Sequence, residues 1–291
     1  MSRHLWLLAS GCAWAVMMFL LFQREIRPFF EYQAPPSYRQ AHSRKTEPEL
    51  EKRAIFFGTQ RIGEAEALTE PLAAGGARMR TRVLMRMQNF FSNQKLPEER
   101  AYFASDLRLD AGFQLAEFRM DGFVRGIGVR IKGDRQGEKL CATYNLGDLL
   151  KDTVLVDFPS DATLSDDFLP YQGGVRLTEG KKWKIRMIDI GSLIAPGKKG
   201  KVGLTELYAA VTGRERVQLL RGREVMAFKV EVRRDPNDER WPYLFWVDEE
   251  GKVLKQHSKI NGLICEIVLE EERKMTAEEA RTHEWSVTPP R

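Results

Sequence analysis

Arg223-Glu-Val-Met-Ala-Phe-Lys-Val-Glu-Val-Arg233, Trp241-Pro-Tyr-Leu-Phe-Trp-Val247 and Lys252-Val-Leu-Lys-Gln-His257 follow one another closely, with a further apolar run from Ile260 to Leu269. In the first of these, Met226, Phe228, Val230 and Val232 fall at every second position. That period of two belongs to a strand with one buried face. Asp248-Glu-Glu-Gly251 supplies a tight turn between the second and third runs. Short apolar alternations joined by Gly- and Asp-bearing turns predict consecutive antiparallel strands.

Working outward, the same grammar recurs. Ala77 to Gln88 alternates most clearly, with Met79, Thr81, Val83, Met85 and Met87 on one side and Arg78, Arg80, Arg82 and Arg86 on the other. The arginines read either as a cationic stripe for phosphate or acidic partners, or as a solvent face paired with acids such as Glu64 and Glu66. The methionines suit an adaptable apolar cavity and equally fill ordinary cores. Gly63, inside an extended pattern, predicts a bulge or corner. Tyr102–Leu109, Phe113–Met120, Val124–Lys132, Lys139–Tyr144 and Thr153–Phe158 continue as a meander, with Asp121-Gly122 read as a hairpin turn. Lys181 to Ile188, Val202 to Val211 and Glu215 to Leu220 extend it. Phe168-Leu-Pro170 reads as a short helix, Ser192 to Lys201 as a Gly/Pro/Lys loop, and Thr276-Ala-Glu-Glu279 as a capping box before a last helix.

The amino terminus differs. Leu5 to Phe22 is nearly all apolar, with Arg3 before it and Arg24, Glu25 and Arg27 after it. As a helix it extends roughly 27 Å at ~1.5 Å per residue, about the thickness of a hydrocarbon core. No small-x-small cleavage site follows, and the apolar run continues beyond Cys12, so the segment is expected to be an uncleaved single-pass anchor. Residues 28–51 carry Pro28, Pro35 and Pro36 without an apolar period and read as a stalk. The expected organisation is an anchor over 1–27, a stalk over 28–51, an antiparallel β domain over 52–275, and a short helix and tail over 276–291. The simplest arrangement exports the domain to the periplasmic or extracytoplasmic side.

Composition narrows the function classes. The formal charge of +5 is spread among interleaved acids, and no Lys/Arg block alternates with stacking aromatics, so no nucleic-acid partner is expected. The three cysteines, Cys12, Cys141 and Cys265, form no Cys-x-x-Cys pair; Cys141 and Cys265 read as a disulfide or as two small buried apolar residues. Gly126 and Gly128 lack the third glycine and the lysine of a nucleotide loop. Asp161, Asp166 and Asp167 do not have calcium-loop spacing. The four histidines are scattered, and no nucleophile elbow or paired-carboxylate motif occurs. No catalytic residue, metal or cofactor is expected, and the chain is read as a non-enzyme.

Ile55-Phe-Phe-Gly-Thr-Gln-Arg-Ile-Gly63, Val225-Met-Ala-Phe-Lys-Val and Leu244-Phe-Trp-Val-Asp-Glu-Glu-Gly-Lys-Val-Leu-Lys255 resemble the opening strand and the late hairpin of exported lipoprotein-carrier half-barrels and related uncharacterised bacterial envelope proteins. The resemblance implies a mainly β fold: one long antiparallel sheet curled into a half-barrel or open barrel, with a few short helices, here joined to an N-terminal transmembrane helix. It also implies a concave apolar face, for which Met79, Met85, Trp183, Phe228 and Trp246 are the candidate lining. The expected role is to bind a lipid, another apolar ligand or an apolar protein segment there, with residues 5–22 in the lipid bilayer. The alternative is a structural or assembly component of an envelope complex with a protein partner and no small-molecule ligand.

Overall fold

The computed structural model describes residues 3–33, 38–43, 45–86, 100–124, 127–147, 150–165, 177–189, 204–238, 240–260, 263–285 and 287, with backbone alone for residues 3–9, 25, 28, 29, 40, 41, 124, 165, 189, 260 and 263. The amino terminus is helical: α1 (Arg3–Leu21), a π-helical turn (Phe22–Ile26), α2 (Arg27–Phe30) and then α3 (Tyr38–His42). Fifteen strands follow: β1 (Glu49–Phe57), β2 (Gln60–Pro71), β3 (Ala77–Arg86), β4 (Arg100–Leu109), β5 (Leu115–Val124), β6 (Ile127–Gln136), β7 (Lys139–Leu146), β8 (Leu150–Asp157), β9 (Ala162–Ser165), β10 (Lys182–Asp189), β11 (Leu204–Gln218), β12 (Glu224–Arg233), β13 (Tyr243–Val247), β14 (Val253–Ile260) and β15 (Leu263–Lys274). A final helix, α4 (Ala277–Arg281), closes the described chain, and its Thr276–Glu279 capping box forms as expected.

All fifteen strands make one mainly antiparallel sheet, in the order β8-β7-β6-β5-β4-β3-β2-β1-β15-β14-β13-β12-β11-β10-β9. Two meanders therefore meet where the first strand pairs with the last. Consecutive strands β8 and β9 stand at opposite edges, yet only Phe158 to Asp161 join them. Laid flat, the sheet would separate its edges by about 67 Å at ~4.8 Å per strand, whereas this link reaches about 18 Å. The sheet must roll until its edges approach. Side chains rather than a ladder close the seam: Leu140, Ala142, Tyr144, Val156 and Phe158 share one core with Ala162, Leu164 and Ile188. The expected curled antiparallel sheet is thus present as an open, rolled sheet.

The two faces of β10 belong to different cores. Ile188 faces the first arm, while Trp183, Ile185 and Met187 pack with Val211, Phe228, Val230 and Phe245. Such two-sided burial explains why the second arm is rich in Val, Leu and Phe. β11 is one fifteen-residue strand where the sequence predicts two, because the register slips between Val211 and Gly213 without ending the ladder. Asp121 and Gly122 lie inside β5 and not in a turn. Asp121 bonds Arg119 and Arg130 across the outer face, and a Cβ on Gly122 would sit 3.0 Å from Phe103 Cδ1. Close packing, not turn geometry, sets that glycine.

The described residues of 28–51, a segment read as a stalk, carry structure. Gln33 bridges β10: its N–H donates to Lys182 O (3.1 Å) and its carbonyl accepts from Lys184 N (3.0 Å). Lys182 Nζ also meets Glu31 at 2.5 Å. Tyr38 is buried in the seam core, and its hydroxyl accepts the Leu164 N–H at 3.0 Å. β1 starts at Glu49, three residues ahead of the expected domain start.

α1 forms where the sequence predicts an anchor, and Trp14, Val16, Met17, Phe19, Leu20 and Phe22 are exposed on it and the turn beyond. Among the described residues no helix is long and apolar enough to cross a membrane. The short helix expected at Phe168–Pro170, the loop expected at 192–201 and the segment 89–99 lie outside the described residues.

Candidate functional site

The five residues expected to line one concave surface are distributed among four cores. Met79 packs against the seam core, and Met85 joins Ile55, Ile62, Ala65 and Val83. Trp183 and Phe228 are the one pair brought together. Trp246 lies on the opposite face from Phe228: Lys229 pairs with Trp246, and Phe228 with Val247. Its indole N–H donates to Glu215 at 2.6 Å and its ring meets His257 edge-on at 4.6 Å. The period-two rule places Trp246 out of phase with its neighbour once the register is known.

Met85 does line a cleft. This cleft of about 370 Å³ sits at one end of β2, β3 and β4, between Arg61, Ile62, Gly63, Glu64, Leu84, Met85, Arg86 and Arg100. The predicted corner builds it. The β1–β2 register slips between Ile55 and Phe56, opposite Gly63 and Arg61. Gly63 lets β2 press on β3, since a Cβ there would lie 2.3 Å from Leu84 O. The slip turns Ile62 inward, where it and Met85 form a buried apolar floor.

Three arginines rim that floor. Arg61 is neutralised: its guanidinium reaches Glu270 at 3.0 and 3.4 Å and Glu64 at 3.5 Å. Arg86 and Arg100 differ. They are direct cross-strand partners, both exposed, and neither forms an ion pair or side-chain hydrogen bond among the described residues. Like charges directly opposite destabilise a ladder, so this end of the sheet carries a repulsion that an anion would relieve. The other arginines of β3 are occupied. Arg78 binds Asp106 (2.5 and 2.9 Å), Arg80 binds Glu70 (2.7 Å), and Arg82 lies 4.5 Å over the Trp285 ring. Asp106 and Glu70, rather than Glu64 and Glu66, are the acids that answer the stripe.

A second polar group is sealed inside. Arg53 is 4 % exposed and bonded to Glu51, with Nε and Nη1 unpartnered among the described residues. His42 is buried with both ring nitrogens unpartnered and its ring stacked 6.4 Å from Tyr38. Burial, aided by Lys45, pushes its pKa down to about 4. Nearby, Lys252 binds Glu49 and Glu272. Burial opposes its charge, but the two carboxylates hold its pKa above the ordinary lysine value. The hydrogen bond that Glu272 shares with Glu49 holds its carboxyl above the usual carboxylate value, with partial desolvation adding to it. Cys141 and Cys265 are free, the latter's thiol pushed up to about 11 by burial.

Sequence reasoning located Gly63, Met85 and the arginine row but missed the site formed by Arg61, Ile62, Arg86 and Arg100. The β3–β4 register that sets Arg86 against Arg100 was not legible.

No family model matches the chain, and no curated protein matches it. Among solved structures, it is similar to a beta-barrel-like protein of domain of unknown function DUF1849 from Brucella abortus, at 11% identity and TM-score 0.48, covering 79% of this chain and 99% of that one. It is also similar to a DUF1089 family protein from Pseudomonas aeruginosa, at 15% identity and TM-score 0.30, covering 65% and 87%. A protein provisionally assigned as a lipoprotein, from Parabacteroides distasonis, follows at 11% identity and TM-score 0.28, covering 78% and 96%.

Proposed function

We propose that the chain is a membrane-tethered binding protein of the cell envelope whose end cleft holds the head of an anionic amphiphile, with α1 associating with the bilayer. One observation carries the reading: Arg86 and Arg100, opposed and unpaired among the described residues, line the same strand-end cleft as the apolar Ile62 and Met85. Two guanidiniums converge on a carboxylate or phosphate as donors, and the floor takes the adjoining methylenes. The volume lies at the small end of ligand pockets, ~300–1,000 Å³, which suits a head and the start of one chain rather than a whole two-chain lipid. The exposed apolar side chains of α1 support the tether. The reading assigns no catalysis.

The test is titration of the full chain in non-ionic detergent with laurate, lauryl phosphate and 1-dodecanol. Both anions should bind at least about tenfold more tightly than the alcohol, as expected for charge-assisted hydrogen bonds worth ~1.5–3 kcal/mol. Arg86→Gln with Arg100→Gln should erase that preference while leaving the fold intact. Equal binding of laurate and dodecanol, or an unchanged preference in the double variant, refutes the site. Flotation with anionic vesicles, with and without residues 1–27, tests the tether separately.

A further inference from the structure

Strand β8 is an edge of the sheet with no strand partner on its outer side among the described residues. Phe158 N–H donates to Glu138 O at 2.7 Å, which continues the β7–β8 ladder and fixes its phase. Even-numbered residues of β8 therefore turn their backbone groups to β7. Lys151, Thr153, Leu155 and Asp157 turn theirs away. The Thr153 N–H confirms the phase, since it is taken at 2.7 Å by the neighbouring Asp152 carboxylate and not by a strand. Among the described residues no backbone group reaches this outer edge.

Several of its side chains are exposed, although the Thr153 hydroxyl is hydrogen-bonded to that of Thr143 at 3.0 Å. Leu150 is 42% and Leu155 56% exposed, and Lys151, Thr153 and Asp157 are exposed as well. On this outer face Arg108 pairs with Glu117, and Arg119 and Arg130 with Asp121. Lys151 and Asp157 have no ion-pair partner among the described residues. An eight-residue edge with an exposed leucine and no covering strand is an invitation to pairing.

We infer that two copies of this chain join edge to edge through antiparallel β8 strands about a two-fold axis at Val154. Of the registers centred on Thr153, Val154 and Leu155, which keep most of the strand paired, that on Val154 alone sets opposite charges against each other. It places Lys151 opposite Asp157 of the second copy twice, and Thr153 beside Leu155 twice. It also matches the backbone, because the outward-facing groups of Lys151, Thr153, Leu155 and Asp157 then bond one another while Val154 stands at a pair without ladder bonds. Thr153 N–H passes from the Asp152 carboxylate to a carbonyl of the second copy. The contact is isologous, so the pairing closes at two.

Sedimentation of the full chain in non-ionic detergent tests this. The parent should reach a concentration-dependent dimer. Lys151→Glu, which sets two acids against two acids, should raise the dimer Kd about tenfold or more. Lys151→Glu combined with Asp157→Lys restores the complementarity and should restore the dimer. Val154→Cys, whose Cβ would lie ~4.5–5.5 Å from its copy, should form a disulfide-linked dimer under mild oxidation, beyond that of the parent and of Thr153→Cys. A parent that stays monomeric, a single reversal without effect, a double variant that stays dissociated, or equal crosslinking through positions 153 and 154 overturns the inference.

Discussion

Acidification should weaken this fold through one imidazole. His42 is buried beside Tyr38, and Lys45, Glu49 and Glu51 are the charges that act on it. Its pKa is pushed down to about 4 against an unfolded value of 6.5. The unfolded chain therefore binds the proton first. Stability contributed by the neutral ring is complete above pH 6.5 and is lost as pH falls toward 4. Linkage gives a loss of about 2 kcal/mol by pH 5, approaching ~3 kcal/mol at pH 4. The assay is urea unfolding of the full chain and of His42→Leu at pH 7, 6 and 5. Carboxylates such as Glu49 titrate in both proteins, so the difference isolates the ring. The leucine variant should match or exceed the parent at pH 7, because it removes two unpartnered buried nitrogens, and should lose about 2 kcal/mol less on going to pH 5. Identical pH slopes would refute the reasoning.

Other substitutions probe other joints. Tyr38→Phe leaves the buried Leu164 N–H without its acceptor and should cost ~1–3 kcal/mol, read as a lower urea midpoint with unchanged slope. Gly63→Ala drives a Cβ toward Leu84 O and should destabilise by ~1–3 kcal/mol or more; an unaltered midpoint would mean that the corner yields freely. Thr276→Ala removes the acceptor for the Glu279 N–H and should cost ~1 kcal/mol, seen as local loss of hydrogen-exchange protection in α4.

The sequence was most legible where a strand has a simple two-faced environment. Phe228, Val230 and Val232 are buried on one face of β12, the Asp248–Gly251 turn and the Thr276 box form as their chemistry requires, and only Met226, 48% exposed, departs from its reading. It was least legible where partners distant in the chain decide. Asp121-Gly122 has turn chemistry, yet the ring of Phe103 and the guanidiniums of Arg119 and Arg130 claim it for a strand. The segment 28–51 lacks an apolar period, and its described residues dock through single contacts, Gln33 on β10 and Tyr38 on Leu164. The cleft was half visible for the same reason: Gly63 and Met85 are local signals, while Arg86 against Arg100 is a matter of register.

The pairing of β1 with β15 has a consequence for assembly. Each arm is a run of near neighbours that local hairpins can complete quickly, but the join between them closes a loop of more than two hundred residues. During synthesis the earliest strand waits, one side bare, until the last has emerged. The slow step of maturation should therefore be the meeting of the two arms, and a chain truncated before Leu263 should be prone to clump through that waiting side.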